Sequence, residues 1–131
     1  MTEQPHDWNR LVELHDKLQR GEHIAVDSNE VLSLLRRVAQ DVAIPSETAE
    51  KALLAPSSAA DLVREIRRRI REGSRRLGSA LVEAYRLQEA GDTTRARKVL
   101  EDVLAVEVVP LYRRTAQGEL DDLLGYTAES G

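Results

Sequence analysis

The stretch "VLAVEVVPLYRR", residues 103 to 114, decides the fold, because a proline stands inside what otherwise reads as one helix. Ala96, Val99, Leu100, Val103 and Val106 recur at helical spacing before it, and Leu111, Ala116 and Leu120 follow it. An interior proline removes a backbone hydrogen bond and clashes with the preceding turn, at a cost of about 3 kcal/mol or more. A kink or break is therefore expected between Val106 and Pro110. The preferred reading is a bend that lets a single helix wrap the N-terminal part of the chain, and the alternative is a hinge.

Upstream, Ala90, Gly91 and Asp92 mark a turn, with glycine supplying a left-handed residue and Asp92 or Thr93 capping the next helix. From about Ser58 to Ala90 no proline intervenes, and Leu62, Ile66, Ile70, Gly73, Leu77, Leu81 and Ala84 make one stripe. At about 1.5 Å per residue this predicts a rod of roughly 50 Å. Toward the N-terminus the pattern predicts three short helices. Asp7 caps the first, which carries Trp8, Leu11, Val12, Leu14 and Leu18 and stops at Gly21. The second follows a capping box over Asp27 to Glu30, runs through Val31, Leu34, Leu35, Val38 and Val42, and ends at Ile44-Pro45. Ser46 caps the third, which ends before Pro56. The expectation is a single all-α domain over 1–131 with about five helices. A helical head, 1–56, packs on a long antiparallel hairpin, 57–125, which turns at 90–92 and leaves a flexible tail at 126–131.

Composition agrees with that class. Trp8, Tyr85, Tyr112 and Tyr126 are the only aromatic residues, so Leu, Ala and Val must fill the core. With no Cys, thiolate chemistry and disulfides are excluded. The N-terminus lacks the basic start and apolar run of a signal peptide, and no segment has the apolar length to cross a bilayer. A soluble, cytoplasmic protein without a membrane partner is expected.

The net charge of -4 conceals a segregation. Residues 1–61 hold 6 bases and 11 acids, 62–114 hold 13 and 8, and 115–131 hold 0 and 4. Projected at 100° per residue, Arg64, Arg67, Arg68, Arg71 and Arg75 fall within about a 100° arc opposite the apolar stripe. Arg69 and Arg76 flank them beside Glu65 and Glu72. In a hairpin turning at Gly91, facing positions sum to about 182, which sets Glu107 across from Arg75 and brings Arg113 and Arg114 opposite Arg69 and Arg68. These seven arginines, Arg64, Arg67, Arg68, Arg71, Arg75, Arg113 and Arg114, are the candidate partner-binding residues.

Catalytic patterns are wanting. His6, His15 and His23 lack the one-turn spacing of a helical metal pair. Asp121-Asp122 and Glu101-Asp102 are adjacent in sequence and diverge on a helix. The glycines stand singly, with Gly73 and Gly78 inside a helix, so no phosphate-cradling loop is present. Neither a catalytic residue, a cofactor nor a metal is expected. The leading expectation is a non-enzymatic interaction or regulatory module, an adaptor that docks an acidic protein through the arginine ridge. A nucleic-acid-binding protein using the same ridge is the first alternative, and an immunity or antitoxin protein the second. A homo-oligomer is also open, with a second copy covering the apolar stripe.

Four segments carry a resemblance to a known family: Asp7-Trp8, "VLSLLRRVAQDVAIPSETAEKAL" (31–53), "REIRRRIREGSRRLGSALVEAYRLQEAGD" (64–92) and "ARKVLEDVLAVEVVPLYRRTAQGEL" (96–120). Together they resemble the DUSAM domain, a paralogous family of myxobacterial proteins. The resemblance implies one compact module without assigned chemistry, so it transfers no functional residue. Ala84, Leu87, Gly91, Ala96 and Leu100 are also similar to a single tetratricopeptide unit, but one unit does not make a solenoid.

Overall fold

The computed structural model of the protein describes residues 4–130, with side-chain surroundings described for 6–125. It is all-helical, and no strand occurs among the described residues. Among the described residues there are six helices where about five were expected: α1 (Gln4–Gln19), α2 (Asn29–Asp41), α3 (Ser46–Ala52), α4 (Pro56–Glu89), α5 (Thr93–Val106) and α6 (Pro110–Ser130). Backbone contacts divide the chain into two compact units, residues 1–70 and 71–131. The division falls inside α4, not at residues 56 and 57 where the head was expected to end.

In the first unit α1 packs on α2 and α2 on α3. Leu11, Leu34, Leu35, Val38, Val42 and Ile66 are fully buried there. Gly21, at φ +88°, ends α1. Its amide donates to the Leu18 carbonyl at 3.0 Å and the Glu22 amide to that of Lys17 at 2.9 Å, which satisfies carbonyls the helix leaves open. The cap of α2 falls inside the expected capping box but one residue later than its Asp27–Glu30 spacing implies: Ser28 Oγ accepts from the Val31 amide at 3.3 Å. Asp7 does not act as a cap, because α1 begins before it. Its carboxylate instead accepts two hydrogen bonds from Arg37, at 2.9 and 3.2 Å, and these hold its pKa below the ordinary aspartate value. Beside it the Trp8 indole donates to Asp41 at 3.2 Å, while burial pushes the Asp41 carboxyl upward.

Of the proline-linked boundaries, α3 ends before Pro56 as expected, while the end of α2 and the starts of α3 and α4 differ from expectation. α2 ends at Asp41 before the influence of Pro45 is felt, because Ala43 takes the left-handed conformation at φ 66°. The Ile44 amide then reaches back to the Ala39 carbonyl at 2.9 Å, the same closure that Gly21 makes. Ser46 is the first residue of α3 and caps nothing; Pro45 occupies the cap position with no side-chain bond. Pro56 opens α4, where a missing N–H has no helical partner to lose. Ser58 then donates to the Ala52 and Ala55 carbonyls at 2.6 and 3.1 Å, which closes the end of α3.

In the second unit Gly91, at φ +83°, turns the chain, and Asp92 caps α5 by accepting from the Arg95 amide at 3.1 Å. α5 returns along α4 so that Ala96 and Leu100 join Ala84 and Leu87, and Val103 joins Leu77 and Ala80. The hairpin expected over 57–125 is matched only as far as Val106, where α5 ends. The stretch opened at Pro110 then behaves differently from the preferred bend. α5 stops at Val106, residues 107–109 are non-helical with Glu107 extended, and Pro110 is the first residue of a new helix. A proline is harmless at that position, so reversing the chain relieves the clash that bending would only reduce. α6 packs on α5 and runs back beside α4: Tyr112 lies against Gly73, Ala116 beside Leu77 and Ala80, and Leu120 and Leu123 beside Ala84 and Leu87. The apolar stripe in this unit is thus covered within the chain. α6 continues to Ser130, and Gly131, the last residue of the tail expected at 126–131, lies outside the described residues.

Ala43 marks a point of stored strain, since a Cβ clashes in the left-handed region and glycine has none. Ala43→Gly is expected to stabilise the fold by about 0.5–1 kcal/mol, read as a higher urea midpoint at an unchanged slope.

Candidate docking surface

The most buried charge is Glu107, 3 % exposed, in the non-helical link between α5 and α6. One carboxylate oxygen accepts from Arg76 at 2.7 Å, and the other accepts from the Val108 and Val109 amides at 3.1 and 3.0 Å. Three donors thus offset the loss of water around the charge. Gly73 makes room for the arrangement: a Cβ there would stand 2.6 Å from the Tyr112 ring and 2.9 Å from the carboxylate. Glu107 therefore faces Arg76, one position from the Arg75 expected.

The predicted arginine ridge divides into used and unused members. Arg64 pairs with Asp61 at 3.2 Å, and Arg68 donates to Glu65 at 3.0 and 2.7 Å, holding the Glu65 carboxyl below the usual range. Arg69 shares that glutamate at 2.7 Å and reaches the Val42 carbonyl at 2.9 Å, at the end of α2. Arg113 is spent on backbone, donating to the Leu104 and Glu107 carbonyls at 2.6 and 2.8 Å. Those carbonyls are ones that the end of α5 leaves without helical partners. The expectation that Arg113 and Arg114 would face Arg69 and Arg68 is corrected here. It presumed one continuous helix after Gly91, whereas reversal at Pro110 brings the start of α6 to the level of Gly73. Among the described residues, Arg67, Arg71, Arg75 and Arg114 make no hydrogen bond or ion pair, and all but the half-buried Arg67 are exposed.

Within the second unit Arg71 and Arg75 begin a longer exposed face of α4. Gly78, Val82, Tyr85 and Glu89 follow at steps of three and four, all exposed, within about an 80° arc. Val82 is 70 % exposed and Tyr85 47 %, both high for large side chains in a helix whose other face is core. The Tyr85 hydroxyl is engaged by the Glu119 carboxylate, which raises its pKa. Charge alone marks this face only as far as Arg75; the same helical spacing carried on in the sequence reaches Gly78, Val82, Tyr85 and Glu89.

Other features offer less. A shallow cleft of about 600 Å³ in the first unit is lined by Leu18, His23, Ile24, Pro56 and Arg64, among others. Among the described residues no buried side-chain nitrogen or oxygen lacks a partner, no group of three His, Asp or Glu gathers as for a metal, and no helix is long and apolar enough to cross a membrane.

Six helices among the described residues, with the buried charge at Glu107 met by donors from within the chain, place it in the class of small all-helical proteins. Residues 6–123 match the family described as "Protein of unknown function (DUF2379)", and the chain belongs to that family. No curated protein and no solved structure matches it.

Two expectations follow from the geometry around α4. Glu107→Ala strands Arg76 and two backbone amides, and should cost about 2–4 kcal/mol in urea denaturation. Gly73→Ala should destabilise by about 1–3 kcal/mol through overpacking, whereas a Cβ at Gly78 meets nothing within 4 Å, so Gly78→Ala should raise the thermal midpoint of the isolated chain.

Proposed function

We propose that this protein is a non-enzymatic, cytoplasmic interaction module that docks a partner protein bearing carboxylates through the exposed face of α4 in its second unit. The observation that carries this reading is the pair Arg71 and Arg75, whose guanidiniums have no carboxylate partner among the described residues and lead directly into the exposed Val82 and Tyr85. Guanidinium groups beside an apolar and an aromatic side chain are the composition of protein contact surfaces, where arginine and tyrosine are enriched. The likeness to the DUSAM module, concentrated in "VLAVEVVPLYR", accords with a stand-alone helical unit without chemistry of its own. Arg64, Arg68 and Arg113 drop to a minor role in this proposal because their donors are engaged, while Arg67 and Arg114 keep theirs.

The test is affinity recovery from the native cell with nuclease treatment and mass spectrometry. Arg71→Glu combined with Arg75→Glu should reduce recovery of the protein partner at least tenfold while the helical circular-dichroism signal stays unchanged; undiminished recovery overturns the proposal. Binding that needs DNA or RNA and weakens steeply with salt would replace the protein partner by nucleic acid.

A further inference from the structure

We infer that the partner of this face is a second copy of the chain: Arg71, Arg75, Gly78, Val82, Tyr85 and Glu89 form a self-complementary stripe through which two α4 helices pair antiparallel. The inference rests on the proposed docking role of the face and names its occupant.

The argument begins with spacing. About position 80, Arg71 and Glu89 lie nine residues to either side, Arg75 and Tyr85 five, and Gly78 and Val82 two. Two antiparallel copies related by a two-fold axis at that position bring each member of a pair opposite the other member, twice. Every one of the three juxtapositions is chemically favourable. Arg71 meets the Glu89 carboxylate of the other copy, and neither has an ion pair among the described residues. Arg75 meets the Tyr85 ring, the geometry of a cation–π contact. Val82 meets bare backbone at Gly78, where the absence of a side chain lets the helices approach closely.

Gly78 supplies an independent support. Glycine in the middle of a helix is less stable than alanine, and at Gly73 the close Tyr112 ring accounts for it. At Gly78 nothing inside the chain comes within 4 Å of where a Cβ would be, so the monomer offers no reason for it. Val82 across a dimer axis offers one. Charge also discriminates between occupants. A uniformly acidic partner would set like charge against Glu89, whereas a second copy neutralises Arg71 and Glu89 together. The stripe spans nineteen residues, 71 to 89, or about 27 Å of helix, so the contact belongs among small, reversible interfaces.

Sedimentation equilibrium of the full chain tests the pairing. The mass should rise from monomer toward dimer with concentration. Arg71→Glu and Glu89→Arg should each weaken association at least tenfold, and the two together should restore it, because the swapped charges again face each other. Gly78→Ala should weaken association while raising the thermal midpoint of the monomer, an opposition that a folding defect cannot produce. A chain that stays monomeric up to about 500 μM, within the reach of weak complexes, overturns the inference, as does a dimer indifferent to the single charge reversals. Glu89→Arg separates this from the docking proposal. If the chain is monomeric, yet Glu89→Arg keeps a partner that Arg71→Glu with Arg75→Glu loses, docking stands and self-pairing falls; a monomer with no charge-dependent partner removes both.

Discussion

A carboxylate held almost wholly out of water at Glu107 is the constraint on which the second unit turns. Such a charge is tolerable only when its oxygens are met by donors, and here they come from a guanidinium on α4 and from the two amides just ahead of α6. The acid therefore ties three consecutive helices at one point. Its own backbone carbonyl, with that of Leu104, receives Arg113, so the chain reversal is fastened from both sides of the link. Gly73 and Tyr112 follow from the same requirement, since the first leaves the space that the acid and the ring occupy.

The basic middle of the chain is accordingly several things at once. Arg69 and Arg113 close the carboxyl ends of α2 and α5, a task suited to a group with five donors and a fixed charge. Arg76 balances the buried acid. Arg64 and Arg68 are held by neighbours a turn away on exposed helix, pairs that contribute little to stability but lower the local potential. What is left for contact with another molecule is a subset that a charge count does not reveal.

Much of the architecture was legible in the residues. The placing of the α2 cap within residues 27–30, the turns at Gly21 and Gly91 and the α4–α5 pairing follow from local stereochemistry that few neighbours can override. The expected facing positions were off by one at Glu107, which meets Arg76 where Arg75 was expected, and did not apply to Arg113 and Arg114, which follow the break at Pro110. The fate of Pro110 was not legible, because a bend and a reversal both answer the same clash, and the choice rests on where Glu107 finds its donors. The left-handed Ala43 was invisible for a similar reason: nothing about alanine announces that conformation, and the surrounding packing imposes it. On the candidate surface the individual arginines were visible, and the acids that engage Arg64 and Arg68 stand only three residues away; what was not legible is that ending α5 at Val106 would leave the Leu104 and Glu107 carbonyls to Arg113.

The placement of aromatic residues has an optical consequence. The only indole, Trp8, is hydrogen-bonded to Asp41 in the first unit, and all three tyrosines, Tyr85, Tyr112 and Tyr126, belong to the second. Fluorescence excited at long wavelength thus reports on one half of the molecule alone, and phenolic absorbance on the other. Because far-ultraviolet ellipticity sums over both, a melt followed by all three signals would reveal whether the halves come apart together or in sequence, with no label attached.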